Sequence, residues 1–178
     1  IYDFEGTSPI TKGVGGKYTH HRGMFIGWKR ISANEKTFNL WEMADGYQVH
    51  DGWLERTATE DKARQTQRVI WCTNEGERLI EEIRTIETTG KEGLRIFDFM
   101  STLNSLAGTI GLRGDLHHAG MQVRLADEVS QHEETTQYIL PDGAREEEND
   151  KVVGAWWVCC SAEVNGRRYW LMHMTPQN

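Results

Sequence analysis

Cysteine and proline are both scarce in this chain of 178 residues, at three each. Cys72, Cys159 and Cys160 are an odd number with neither the density of a disulfide scaffold nor the CxxC spacing of a zinc knuckle, so they are expected to pack as small buried hydrophobes. Pro9, Pro141 and Pro176 are too few to break the chain into linkers. A run of about 18 apolar residues is also missing, which excludes a spanning helix within the sequence. Basic excess is absent as well: the net charge is -7, and Lys and Arg are dispersed beside acids, as in Glu81-Glu82-Ile83-Arg84. A nucleic-acid binder concentrates its cations on one face, so no nucleic-acid partner is expected. The first residue is Ile1 and no signal-like run follows it, so the sequence reads as a piece of a longer product.

What is present is strand chemistry. Segments rich in Val, Ile, Thr, Trp, Tyr and Phe recur, and no long stretch keeps a 3.6-residue repeat. Strands are predicted near residues 24–28, 38–43, 46–57, 63–72, 79–87, 94–105, 120–126, 155–164 and 167–174. Asn74-Glu75-Gly76-Glu77 and Thr89-Gly90-Lys91-Glu92-Gly93 separate three long strands and predict a meander. Asn165-Gly166 is the strongest hairpin signal, because both residues tolerate the positive φ of a type I′ turn. All three prolines avoid the predicted strands. The acidic run Glu146-Glu147-Glu148-Asn149-Asp150 is expected to be an exposed loop. The expected fold is therefore all-β: a large antiparallel β-sandwich forming a single domain over residues 1–178. Most of the seven tryptophans are expected in its core.

Five of the seven histidines fall in three places: Tyr18-Thr19-His20-His21-Arg22-Gly23, Asp115-Leu116-His117-His118-Ala119-Gly120, and Met172-His173-Met174. Imidazole titrates nearest neutrality, which suits both proton transfer and metal ligation. On a regular strand adjacent side chains face opposite ways, so each pair would offer one histidine to a shared site. The even side after His118 continues through Gln122 and Arg124 and is polar, which favours it over His117, provided Gly120 introduces no bulge. Arg22 carries a fork of donors suited to a carboxylate, phosphate or vicinal diol. Both faces of Met24-Phe25-Ile26-Gly27-Trp28 are apolar, which predicts a central buried strand. Gly13-Val14-Gly15-Gly16 is followed by Lys17-Tyr18, without the Lys-Ser/Thr pair and helix of a P-loop, and reads as a mobile loop.

A divalent metal held by three of the histidines, with or without Glu163 or Glu42, stays open, although no HxH or HExxH occurs. No GxSxG elbow is present, which weakens nucleophilic serine chemistry.

The segment Thr19-His20-His21-Arg22-Gly23-Met24-Phe25-Ile26-Gly27-Trp28 resembles the hallmark of a bacterial family labelled "methane oxygenase PmoA-like". Asn39-Leu40-Trp41, His118-Ala119-Gly120-Met121-Gln122-Val123-Arg124 and Tyr138-Ile139-Leu140-Pro141-Asp142-Gly143 are similar to later motifs of that family, in order along nearly the whole chain. The oxygenase subunit in the label is helical and spans a bilayer, whereas this sequence is polar and strand-rich, so the label does not describe its chemistry. Family members look similar to the β-sandwiches of aldose mutarotases, and the resemblance implies a chain incomplete at its ends and a secreted or periplasmic location. The paired titratable groups, arginine forks and tryptophans lead us to expect a small-molecule or glycan ligand, with His20, His21, His118 and His173 as acid/base groups and Arg22, Gln122, Arg124 and Trp41 binding substrate. Two readings follow: a sugar-directed epimerase, lyase or hydrolase, or a noncatalytic module holding a glycan or metal.

Overall fold

The computed structural model of the chain describes residues 1–115, 117–147 and 151–175. The strands are β1 (Met24–Trp28), β2 (Arg30–Ala33), β3 (Lys36–Phe38), β4 (Gly46–Ala58), β5 (Lys62–Thr73), β6 (Arg78–Lys91), β7 (Leu94–Ser105), β8 (Gly111–Arg113), β9 (Ala119–Val123), β10 (Gln137–Ile139), β11 (Arg145–Glu147), β12 (Lys151–Val153), β13 (Trp157–Val164) and β14 (Arg167–Met174). One short helix, α1 (Asp127–Gln131), and one 3₁₀ turn, Glu133–Thr135, complete the described elements. The fold is all-β with antiparallel sheets, and no helix among the described residues is long and apolar enough to cross a membrane.

The chain forms two compact units: Ile1–Phe25 with Met121–Asn178, and Ile26–Gly120. In the second, β4, β5, β6 and β7 make a four-stranded meander, with strands of 13, 12, 14 and 12 residues. One face of its first half packs on the small sheet β3-β2-β8, so this unit is a sandwich. Ile31, Ala33 and Leu40 meet Val69, Trp71, Leu79 and Ile80 there, with Leu103 and Leu112 at the margin. Each fully buried aliphatic side chain contributes about 1.5–3 kcal/mol of transfer free energy. On the opposite face charges pair across strands: Arg68 Nε reaches Glu81 at 3.1 Å, and Arg64 reaches Glu55 at 3.1 Å and Glu87 at 3.0 Å. These are the scattered cations of the sequence, spent on their acidic neighbours.

In the first unit β13 is the middle strand of β10-β13-β14, and β11 pairs with β12. Cys160, Ala162 and Val164 on β13 pack with Ile10 and Val129, joined by Leu125, Tyr169 and Leu171. The β13–β14 turn is the expected Asn-Gly hairpin, with φ of 51° at Asn165 and 68° at Gly166. All three cysteines are free and buried.

Several expectations need correction. The predicted strand 38–43 ends at Phe38, because Asn39 folds the next residues around itself: its Oδ1 accepts the Glu42 N–H at 3.0 Å, and its own N–H donates to Asp45 at 2.7 Å. Thr89 to Lys91 belong to β6, which leaves only Glu92 and Gly93 as the turn into β7. β1 is not a central buried strand: it pairs with β9 alone, and only Gly27 of its residues is buried. Glu146 and Glu147 of the acidic run lie in β11, while residues 148–150 lie outside the described residues, as does Pro176. Only Trp41 and Trp71 of the seven tryptophans are buried in the core, and Trp53, Trp156 and Trp170 are exposed.

Candidate functional site

In the first unit the His20-His21 motif sits on a closed loop. The Gly23 N–H donates to the Lys12 carbonyl at 3.0 Å, so residues 12–23 leave and return at one neck. Arg124 joins that neck by backbone alone: Lys12 N–H donates to its carbonyl at 2.9 Å, and its own N–H donates to Gly23 at 2.9 Å.

The loop is pinned from inside. The Lys12 side chain is only 1 % exposed; its ammonium donates to the carbonyls of Gly13 and Gly15 and lies 3.8 Å from Asp127. Gly16 has φ of +66°, and a Cβ there would fall 1.9 Å from an Asp127 carboxylate oxygen. Two carbonyls of the Gly-rich stretch are therefore held by a buried lysine.

His20 and His21 lie in this loop and not on a strand, so strand alternation does not separate them: their ring centroids are 4.1 Å apart, edge to face. His21 stacks between Phe25 at 5.0 Å and Tyr18 at 5.7 Å. The Arg124 guanidinium lies 5.3 Å from the Tyr18 ring, whereas Arg22 turns back, its Nε donating to the Thr19 carbonyl at 3.0 Å. Gln122 lies half-buried in β9. The alternation drawn through Gly120 fails, since φ of +86° there interrupts the regular strand.

In the second unit His118 is held by its own segment. Its Nδ1 is 2.5 Å from Asp115 Oδ1, and its backbone N–H donates to the Asp115 carbonyl at 3.2 Å. The same Oδ1 accepts the His117 N–H at 3.0 Å. The His118 carbonyl accepts the Lys29 N–H at 2.9 Å, which ties the segment to the end of β1. Trp41, buried against Gly27, meets the His118 ring edge-on at 5.8 Å.

Hydrogen bonding from His118 is the main cause that holds the Asp115 carboxyl below its ordinary range; burial opposes it and the His117 N–H adds to it. Glu42 is also held low, first by the Asn39 amide and then by Lys29, 3.3 Å away. The His118 side chain is 32 % exposed, so it is oriented yet reachable. Asp115 went unnominated in the sequence reading, although the Asp-x-x-His spacing that brings it to Nδ1 was visible there.

His173 stands opposite Val158 on β14, and its side chain makes no hydrogen bond, ion pair or ring contact among the described residues. No group of three His, Cys, Asp or Glu side chains suited to a metal ion occurs among them.

These motifs run the length of a single family model. The chain belongs to the DUF6807 family, a family of unknown function, whose model matches residues 1–178. No curated protein and no solved structure matches the chain. The DUF6807 assignment therefore covers the His20-His21 loop and the Asp115–His118 pair alike, and gives neither a role.

Proposed function

We propose that this DUF6807 chain acts on a carbohydrate by general acid/base chemistry, with His118 transferring the proton. The observation that carries the reading is the 2.5 Å contact between His118 Nδ1 and Asp115. A carboxylate at Nδ1 fixes the tautomer and ring orientation, leaving Nε2 to take or give a proton at a sugar oxygen. Trp41 backs the imidazole edge-on and limits its rotation. A sugar as the substrate class is supported by fold-level analogy alone: the motifs resemble a family whose members look similar to mutarotase-like sandwiches. Paired imidazoles and the guanidinium groups of Arg22 and Arg124 give the first unit its own set of groups suited to sugar hydroxyls.

The test is proton NMR in deuterated water with aldoses and their methyl glycosides, reading anomer exchange, C–H exchange and glycosidic cleavage. Turnover of one sugar class is expected, falling by about 10²-fold or more in His118→Ala with the fold retained by circular dichroism. Equal turnover in His118→Ala, or none by the parent protein, would overturn the reading. His21→Ala tests the loop separately.

A further inference from the structure

The long meander of the second unit extends past the small sheet that covers it. The hydrophobic cluster ends at Val69 and Leu103, but the same face continues in register. The next row across the sheet is Trp53, Gln67, Arg84 and Ser101, and the row beyond is Arg56, Gln65, Ile86 and Phe99.

Glu82 anchors this region. It is 0 % exposed, and its carboxylate accepts Arg84 Nε at 2.7 Å, Arg84 Nη2 at 2.7 Å, Ser101 Oγ at 2.9 Å and Trp71 Nε1 at 2.9 Å. Arg84 Nη2 also donates to Gln48 Oε1 at 3.1 Å, and Gln48 is fixed in turn by the Ile26 carbonyl at 2.8 Å. The guanidinium is thus a rigid planar group, lying 5.7 Å from the Phe99 ring. Beside it, Gln67 Oε1 meets His50 Nδ1 at 2.9 Å, and the His50 ring sits 4.7 Å from that of Trp53, which is 44 % exposed. Among the described residues, Arg84 Nη1, Gln67 Nε2 and the Gln65 amide have no hydrogen-bond partner.

We propose that this face is a binding platform for a neutral saccharide, with Trp53 stacking on the C–H face of a pyranose and the unspent donors of Gln65, Gln67 and Arg84 meeting its hydroxyls. An exposed indole beside preoriented planar donors is the chemistry that recognises a ring apolar on its faces and polar at its rim. The Arg84 row offers a ligand no net charge. The bidentate Glu82 contact compensates Arg84, so an anion gains no net attraction in that row. Arg56 lies 5.4 Å from the Trp53 ring and has no carboxylate partner among the described residues, which makes an acidic sugar the informative competitor. The platform uses neither His118 nor Asp115 and goes beyond the proposed catalytic reading.

The experiment is saturation-transfer NMR of the whole chain with glucose, galactose, mannose, xylose and their methyl glycosides, and with glucuronate as the anionic arm. Contact with at least one neutral sugar is expected, weakened about tenfold in Trp53→Ala and measurably in Gln67→Ala. Both substituted positions are off the hydrophobic cluster, and melting temperatures confirm that the variants fold. Binding of glucuronate alone, of no sugar, or of a neutral sugar equally by Trp53→Ala would overturn the proposal. A loss confined to His118→Ala would do the same by placing the sugar at the acid/base pair instead.

Discussion

At Asp115 one carboxylate accepts from an imidazole and a backbone N–H, and its pKa is lowered mainly by the first. A carboxyl depressed in the folded state stabilises that state above its unfolded pKa, near 3.9, and the contribution is lost as pH falls through the lower folded value. Thermal melts should therefore show a gap between the parent protein and Asp115→Asn at pH 5 that narrows below about pH 4; a gap unchanged down to pH 2 would count against the pairing. Gly16 makes a second residue-scale case. Alanine there needs a left-handed backbone and meets the Asp127 carboxylate at once, so Gly16→Ala should lower stability by about 1–2 kcal/mol in chemical denaturation. An equally stable variant would show that the loop rearranges freely.

Among the elements, β6 carries the largest electrostatic commitment. Glu82 is buried with four donors around it, and removing the carboxylate strands the Arg84 guanidinium and the Trp71 N–H together. Glu82→Ala should cost about 3–5 kcal/mol in urea unfolding, with Glu82→Gln less harmful because it keeps the shape and some acceptors. The long strands were legible from alternation and turn chemistry: residues 94–105 and 167–174 were bounded as observed, because Gly93 and Asn165-Gly166 punctuate them. The short strands β2, β3, β8, β10, β11 and β12 were missed, since three or four residues carry too few alternations to display a period. Asn39 shows a different failure, in which one side chain captured the local backbone and ended a strand that propensity continued. The histidine pairs misled for a related reason: alternation holds only on strands, and His20 and His21 sit in a loop where both rings touch.

Taken whole, the molecule keeps its thiols inside. Cys72, Cys159 and Cys160 are buried and free, and burial pushes the Cys72 and Cys160 thiols up, away from the reactive thiolate. A thiol reagent should label none of the three rapidly in the folded protein and all three in denaturant; fast native labelling would contradict the packing of β5 and β13. The tryptophans divide the other way, with three exposed and only Trp41 and Trp71 buried in the core, leaving aromatic surface that a sandwich does not need for stability. Composition announced the aromatics but not their destination, because exposure depends on how far one sheet outruns the sheet that covers it. The most direct measurement of the central claim is sugar turnover by the parent protein and by His118→Ala, followed by NMR in deuterated water. A loss of about 10²-fold or more with the fold intact is the predicted result, and equal turnover by the two proteins would contradict it.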